Sequence, residues 1–220
     1  MENIILIGSS GHARVIIDII EKGNLFSIAG FIDSFRKSGE ETYNYPVLGS
    51  ETDIPHLIAK HKITGYIVAV GDNWTRKKMN DKVASLDLGL NLISVIHPSA
   101  VIGKNVSIAE GTVIMAGVVI NSDSSIGRGC LLNTSSSLDH DCRMEEYSSL
   151  APHATTGGNV SIGAFSSVSL SACISNKLTI GKHTIIGAGS VVLENIPDLK
   201  LAFGTPAKVI RERKIGEKYV

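Results

Sequence analysis

The chain has 220 residues, enough for one large domain or two small ones, each able to bury a core. Its 21 Lys+Arg balance 21 Asp+Glu, which removes the basic footprint of a nucleic-acid binder. No apolar run approaches the roughly eighteen residues of a membrane span. The chain opens without a basic leader, and Cys130, Cys142 and Cys173 form no C-x-x-C pair. The expectation is a soluble, cytoplasmic protein in a reducing compartment, with neither nucleic acid nor membrane as partner.

Residues 1–95 read as an α/β domain. Asn3–Ile7 is a short apolar run ending at Gly8, as in a buried parallel strand. The turn Gly8-Ser9-Ser10-Gly11-His12 leads into Ala13–Lys22, where Val15, Ile16, Ile19 and Ile20 fall at helical spacing. Phe31-Ile32-Asp33 reads as a second strand with a carboxylate at its end, and Asp33–Tyr45 as a charged, Gly-containing loop. Pro55–Lys60 opens a second helix. Tyr66–Val70 is a third strand closed by Gly71-Asp72-Asn73, and Trp74–Leu86 is a third, more polar helix. Strands alternating with helices predict a short parallel sheet of Rossmann-like type. Asn91–Ile96 leads onward through His97-Pro98, where Pro98 cannot donate to a ladder.

From about residue 96 to 195 the chain keeps a six-residue metre. Every sixth position from Ile96 to Val192 is aliphatic except Thr156, and four places later the side chain is nearly always small. A helix repeats near 3.6 and a strand at 2, so a strict six means a solenoid of stacked short strands. Three hexads close one triangular coil of eighteen residues, and coils stack at about 4.8 Å. Gly103, Gly127, Gly163, Gly181 and Gly187 follow aliphatic positions, which is read as a need for positive φ at the corners. Cys130 and Cys142 occupy the small-residue slot and are read as packing residues. Pro197, Gly204 and Pro206 end the metre, leaving 196–220 as a tail whose Arg211, Arg213 and Lys214 are read as an exposed helix face.

Two stretches can carry chemistry. The Gly8–His12 turn lies between a strand and a helix, so its backbone N–H groups either cradle a phosphate or close a turn that holds nothing. It is not the G-x-G-x-x-G fingerprint, but Asp33 and Gly71 lie at the same carboxyl edge, where α/β domains contact ribose and base. The second stretch is Leu138-Asp139-His140-Asp141. His140 falls at a corner between two acids, one of which can fix its tautomer and raise its basicity. It is either a general base or an exposed corner histidine. His140, His153 and His183 fall on three different faces of one prism and cannot converge within a monomer, although an interface between prisms could gather some of them; the expectation is no metal site.

The motifs I-G-S-S-G-H-A, F-I-D, V-G-D-N, N-T-S-S, D-H-D-C and G-T-P-A-K-V-I together resemble the hexapeptide-repeat sugar acyltransferases of the sialic-acid O-acetyltransferase type. The chain is most similar to the bacterial nucleotide-aminosugar N-acetyltransferases. The resemblance implies a left-handed winding of the parallel β-helix, which the general right-handed crossover preference would not give. It implies acetyl-CoA as co-substrate and a nucleotide-linked amino-deoxysugar as acceptor. It also implies a homotrimer with active sites between subunits. By the same resemblance His140 is the general base, Asp141 its supporting acid and Gly158 an N–H donor to the developing oxyanion. Ser10, Gly11, His12, Asp33, Ser34 and Gly71 match nucleotide-sugar contacts, and Asn133 lies at the mouth of the site of His140. Leu170 and Ala188 match positions lining the acetyl-CoA groove, and Ser149 replaces a CoA-contacting histidine of some relatives. The implied reaction is direct N-acetylation of a sugar 4-amino group. O-acetylation of a sialic-acid-type hydroxyl uses the same base, and a non-catalytic nucleotide-sugar sensor would need no thioester.

Overall fold

The computed structural model describes residues 1–218. The first strand, β1 (Glu2–Ile7), sends Ile4 and Leu6 to one side of a sheet and Ile5 and Ile7 to the other, and all four are buried. That double-sided burial is what a central parallel strand needs. It pairs in parallel with β2 (Phe26–Ile32) and, on its other side, with β5 (Ile63–Val68). α1 (Gly11–Gly23) packs on the Ile4 side through Ala13, Ile16, Ile17 and Ile20, while Val15 faces outward. α2 (Ile54–His61) and α3 (Asn73–Ala84) cover the Ile5 side.

Two strands lie where a loop was expected or where no element was assigned. β3 (Glu41–Thr42) turns back antiparallel on β4 (Tyr45–Gly49), and β4 joins β2 in parallel. With β6 (Asn91–Leu92) the order is β3-β4-β2-β1-β5-β6, a mixed rather than purely parallel sheet. Pro46 disguised β4, because a proline argues against a strand unless that strand lies near an edge.

The prism begins at Val95–Ile96 and continues in two-residue strands to Val191–Val192, every one paired in parallel with the strand eighteen residues away. The three sheets are the faces of a left-handed parallel β-helix. Face 1 starts at Val95, face 2 at Val101 and face 3 at Ser107. From Ile114 to Val192 the metre positions are buried. Ile96 and Ile102, in the first coil, lie at the open end and are more than a third exposed. The small slot also accepts hydroxyls because each can bond a neighbouring carbonyl: Thr112 donates to Ala109 (2.8 Å), Ser124 to Asp139 (2.9 Å) and Ser148 to Glu145 (2.7 Å).

The glycine reading needs correction. From Ile102 to Ile186 the corner residues with positive φ stand three places after each metre position, and most are not glycine: Asn105, Asp123, Asp141, Asn159 and Lys177 among them. Gly103 and Gly127, one place after, lack positive φ. A Cβ there would lie 2.6 Å from the Ser122 nitrogen and 2.7 Å from the Glu146 nitrogen of the next coil. Close approach of stacked backbones, not corner conformation, selects glycine at this position.

The tail is not a helix. Lys200–Gly204 adds to face 1 beside Ile185–Ile186, and Ala207–Glu212 folds back antiparallel on it. The free edge of face 1 offers unpaired N–H and C=O groups, and pairing satisfies them. Arg211 and Glu212 close that second strand, and Arg213 and Lys214 lie beyond it.

The α/β domain sits on face 1. The outward residues Val95, Val113 and Leu131 join the α1 core, so this face of the prism is sealed by the chain's own first domain. α3 supplies the second attachment. Arg76, 2% exposed, donates from Nε to the Gly129 carbonyl (2.8 Å), from Nη1 to Gly71 (2.8 Å) and from Nη2 to Asn73 Oδ1 (2.6 Å). Asn73 Nδ2 reaches Ser149 Oγ at 3.2 Å and the Ser166 carbonyl at 3.1 Å. Trp74 meets Phe165 and His183 edge-on, within a column in which Tyr147, Phe165 and His183 stack one coil apart. Among the described residues no helix is long and apolar enough to cross a membrane.

Candidate active site

Leu138 closes a strand of face 2, so the next residues turn the corner toward face 3. Asp141 takes the positive-φ position of that corner, and its carboxylate turns back onto the preceding residue. Asp141 Oδ2 lies 2.8 Å from His140 Nδ1. This contact, helped by the charge of Asp139, lifts the His140 pKa above that of an ordinary imidazole. Asp139 is held in turn by Asn121 Nδ2 at 2.7 Å and by the His140 N–H, which keep its carboxyl low. With Nδ1 facing a carboxylate, the neutral ring carries its proton there and leaves the Nε2 lone pair outward. One coil further on, Gly158 lies under the ring.

At the carboxyl edge of the α/β sheet, Gly8, Ser9, Ser10, Asp33, Ser34, Phe35, Glu51, Val70, Thr75 and Met79 enclose a cavity of about 190 Å³. The Asp33 carboxylate ties the turn to β2, accepting from the Ser9 N–H (3.0 Å) and Ser9 hydroxyl (2.6 Å) on one oxygen and from the Phe35 N–H (2.9 Å) on the other. Gly8 has φ +95, which a side chain would rarely adopt, so the turn needs its glycine.

A second cavity, about 270 Å³, lies between this domain and the prism. His12, Gly71 and Asp72 line one side, and Asn133, Ser149 and Leu170 the other. Burial, then the charge of Arg76, drives the His12 pKa down to about 4, and its Nε2 has no hydrogen-bond partner. Ser149 is buried here, bonded to Asn73 and to Ser167 Oγ at 2.6 Å. Ala188 is exposed one coil beyond Leu170 on the corner between faces 1 and 2.

The sequence-selected residues therefore fall in three places. Ser10, Asp33 and Ser34 share the first cavity, and Gly11 adjoins it as the first residue of α1. His12, Gly71, Asn133, Ser149 and Leu170 share the second. His140, Asp141 and Gly158 stand apart, at the corner between faces 2 and 3. Within one chain Asn133 and His140 stand at different corners, with the whole of face 2 between them. His140, His153 and His183 do occupy three different corners, and among the described residues no cluster of three His, Cys, Asp or Glu could hold a metal. Sequence reasoning missed Glu51, Asn73 and Arg76. The signal for the last two was V-G-D-N followed by a basic residue on a polar helix, which carries no mark of burial.

An α/β domain with a pocket at its strand ends, mounted on a hexapeptide prism with a carboxylate-supported histidine at a corner, defines a hexapeptide-repeat acyltransferase. Residues 3–83 match the family described as PglD N-terminal domain. A mutant of perosamine N-acetyltransferase from Caulobacter crescentus, solved with CoA and GDP-perosamine, superposes with a TM-score of 0.90 at 35% identity, over 96% of this chain and 98% of that one. The acetyltransferase domain of PglB from Neisseria gonorrhoeae, in complex with acetyl coenzyme A, gives 0.86 at 28% identity, over 95% and 99%. UDP-N-acetylbacillosamine N-acetyltransferase of Bacillus subtilis is 36% identical over 120 residues, 53% of this chain and 52% of that protein. The chain thus spans about half the length of the curated relatives it matches, and nearly all of the solved structures. It belongs to the nucleotide-aminosugar N-acetyltransferase family of hexapeptide-repeat enzymes.

Proposed function

We propose that this protein transfers the acetyl group of acetyl-CoA to the 4-amino group of a nucleotide-linked amino-deoxysugar, for surface glycan synthesis in the cytoplasm. Residues 1–95 hold the nucleotide, 96–195 form the acyl-transfer surface, and 196–220 extend it. The observation that carries the reading is the His140 corner, with Nδ1 occupied by Asp141 and Nε2 open over Gly158. As the amine attacks the thioester carbonyl, the C–N bond forms and Nε2 takes the ammonium proton. The C–S bond then breaks, and the same proton returns to the departing thiolate. Placement of the Gly158 N–H near the carbonyl oxygen would steady the tetrahedral oxyanion.

The faces support a trimer. Face 1 is covered by the α/β domain, and the outward row of face 3 includes Arg143. The outward row of face 2 is Val101, Val119, Ser137, Thr155, Cys173 and Val191, without a charge. Three copies turning this face to a common axis bring the His140 corner of one against the Asn133–Leu170–Ala188 corner of the next. That juxtaposition reunites the base with the sugar cavity and the acetyl-CoA groove, the latter along Leu170 and Ala188 with Ser149 at its floor. The test is thiol release from acetyl-CoA with a panel of UDP- and GDP-linked 4-amino sugars beside sialic acids. Thiol release with a 4-amino sugar supports the reading; release with sialic acids alone refutes it. Light scattering should give three times 23.3 kDa.

A further inference from the structure

The cavity at the strand ends contains a carboxylate to which the reaction assigns no task. Glu51 follows β4, is 5% exposed and lines the cavity together with Ser34, Phe35, Val70 and Met79. The Ser34 hydroxyl donates to Oε2, and Lys82 Nζ lies 3.1 Å from the same oxygen. Burial alone would push this carboxyl up, but Ser34, its own backbone N–H and Lys82 outweigh that and hold it below the usual range. Asp33, the other carboxylate of the cavity, already accepts three hydrogen bonds from Ser9 and Phe35. On Glu51 the Ser34 hydroxyl and Lys82 both meet Oε2, so apart from its own backbone N–H the Oε1 side is left to accept from a ligand. The remaining walls suit a flat ring. Phe35, 98% exposed, lines the same cavity as Val70 and Met79 and is free to stack on a ring.

We propose that Glu51 reads the nucleobase and that the base is guanine. This rests on the reading of the α/β domain as the nucleotide holder. A carboxylate matches two adjacent N–H donors, and among the common bases guanine alone offers them, at N1 and the 2-amino group. Uracil and thymine present a single N–H between two carbonyl oxygens, which a carboxylate repels. Adenine and cytosine place an acceptor nitrogen beside their amino group. A site built to bond a donor pair rejects rings that lack it, because the remaining acceptor side of its buried carboxylate then meets a carbonyl or ring nitrogen instead of a donor. The relatives act on both kinds of nucleotide, a GDP-sugar in the Caulobacter enzyme and a UDP-sugar in the Bacillus one, so family membership leaves the base open.

Calorimetric titration of the full chain with GDP, IDP, UDP and dTDP tests this. GDP should bind about tenfold or more tighter than UDP or dTDP, and IDP, which lacks only the 2-amino group, about tenfold weaker than GDP. Glu51→Gln should weaken GDP by roughly 10–100-fold and close the gap between GDP and IDP, a change that a packing role would not produce. UDP or dTDP binding as tightly as GDP overturns the proposal while leaving the proposed activity standing. So does a Glu51→Gln variant that weakens all four alike. Binding of none of the four overturns both. If the variant does not fold, the ranking on the unaltered protein decides.

Discussion

A Cβ built on Gly158 would lie 2.6 Å from both Nε2 and Cε1 of His140. The two residues are eighteen apart, one coil, so the imidazole of one rung rests on the bare backbone of the next. Gly158 lacks positive φ, and alanine is therefore free of backbone strain there. Gly158→Ala should push the ring off its edge and lower kcat on the order of a hundredfold, since displacement near 1 Å can do this. The thermal midpoint should hardly move, because a corner side chain 56% exposed can swing into solvent. Unchanged kcat would mean that the ring position is not critical.

His140→Ala should reduce turnover on the order of a hundredfold or more, the share a positioned general base supplies, with no loss of fold. Steady-state kinetics beside circular dichroism separates the two effects. Kinetics like those of the unaltered enzyme would retire His140 as the base.

The pH profile gives a separate reading of the same corner. Because Asp141 holds the His140 pKa above the ordinary value, the neutral base accumulates only at higher pH. The acid limb of kcat/KM should fall above the pH typical of an unperturbed imidazole. Asp141→Asn should shift that limb to lower pH and also lower the plateau, through a weaker base and a freer ring. A limb that stays in place would separate the observed titration from this pair.

Much of the prism was legible because its physics is local. Six residues make a strand and a corner, so the metre located every rung, and His140 beside Asp141 needed only adjacency in sequence. The offset of eighteen that brings Gly158 beneath His140 is likewise a property of the repeat. The seating of the α/β domain was not legible, since Arg76 and Asn73 look like exposed helix polar residues until Gly129 and Ser149 meet them across more than fifty residues. Glu51 was hidden with β4, whose Pro46 argued against a strand, and the tail hairpin depended on a free sheet edge that no local pattern announces. The glycines were visible but assigned to the wrong cause, because contact between coils cannot be read from a single coil.

Arg76 should fasten α3 to the prism, its Nε bond to Gly129 crossing between the domains while its other donors brace Val70, Gly71 and Asn73. Replacing it by methionine keeps most of the volume and removes the donors to Gly129, Val70, Gly71 and Asn73. Unpaired buried acceptors typically cost about 1–3 kcal/mol each, and partial relaxation lets some be rehydrated, so a net loss of roughly 3 kcal/mol is expected. For a chain of this size that corresponds to a drop in thermal midpoint of about 6–12 °C in calorimetry. A midpoint within about 2 °C of the unaltered protein would mean that the packing of α1 on face 1 suffices.

Protonation of His12 should make stability depend on pH. Burial and the nearby Arg76 charge drive its folded pKa down to about 4, whereas an unfolded histidine titrates near 6.5. Between those values the unfolded chain binds the proton and the folded chain does not, so stability rises with pH across that window. The contribution is complete above about pH 6.5, is lost as the pH falls toward 4, and levels off below. The gap corresponds to roughly 3 kcal/mol at the conversion of about 1.4 kcal/mol per pH unit. Many carboxylates titrate in the same range, so the informative quantity is the difference between the unaltered protein and His12→Gln. Urea unfolding at several pH values should show that difference changing by roughly 3 kcal/mol from pH 7 to 4, with the unaltered protein losing more. A difference that stays constant with pH would mean that the folded protein accepts the proton on His12 without penalty.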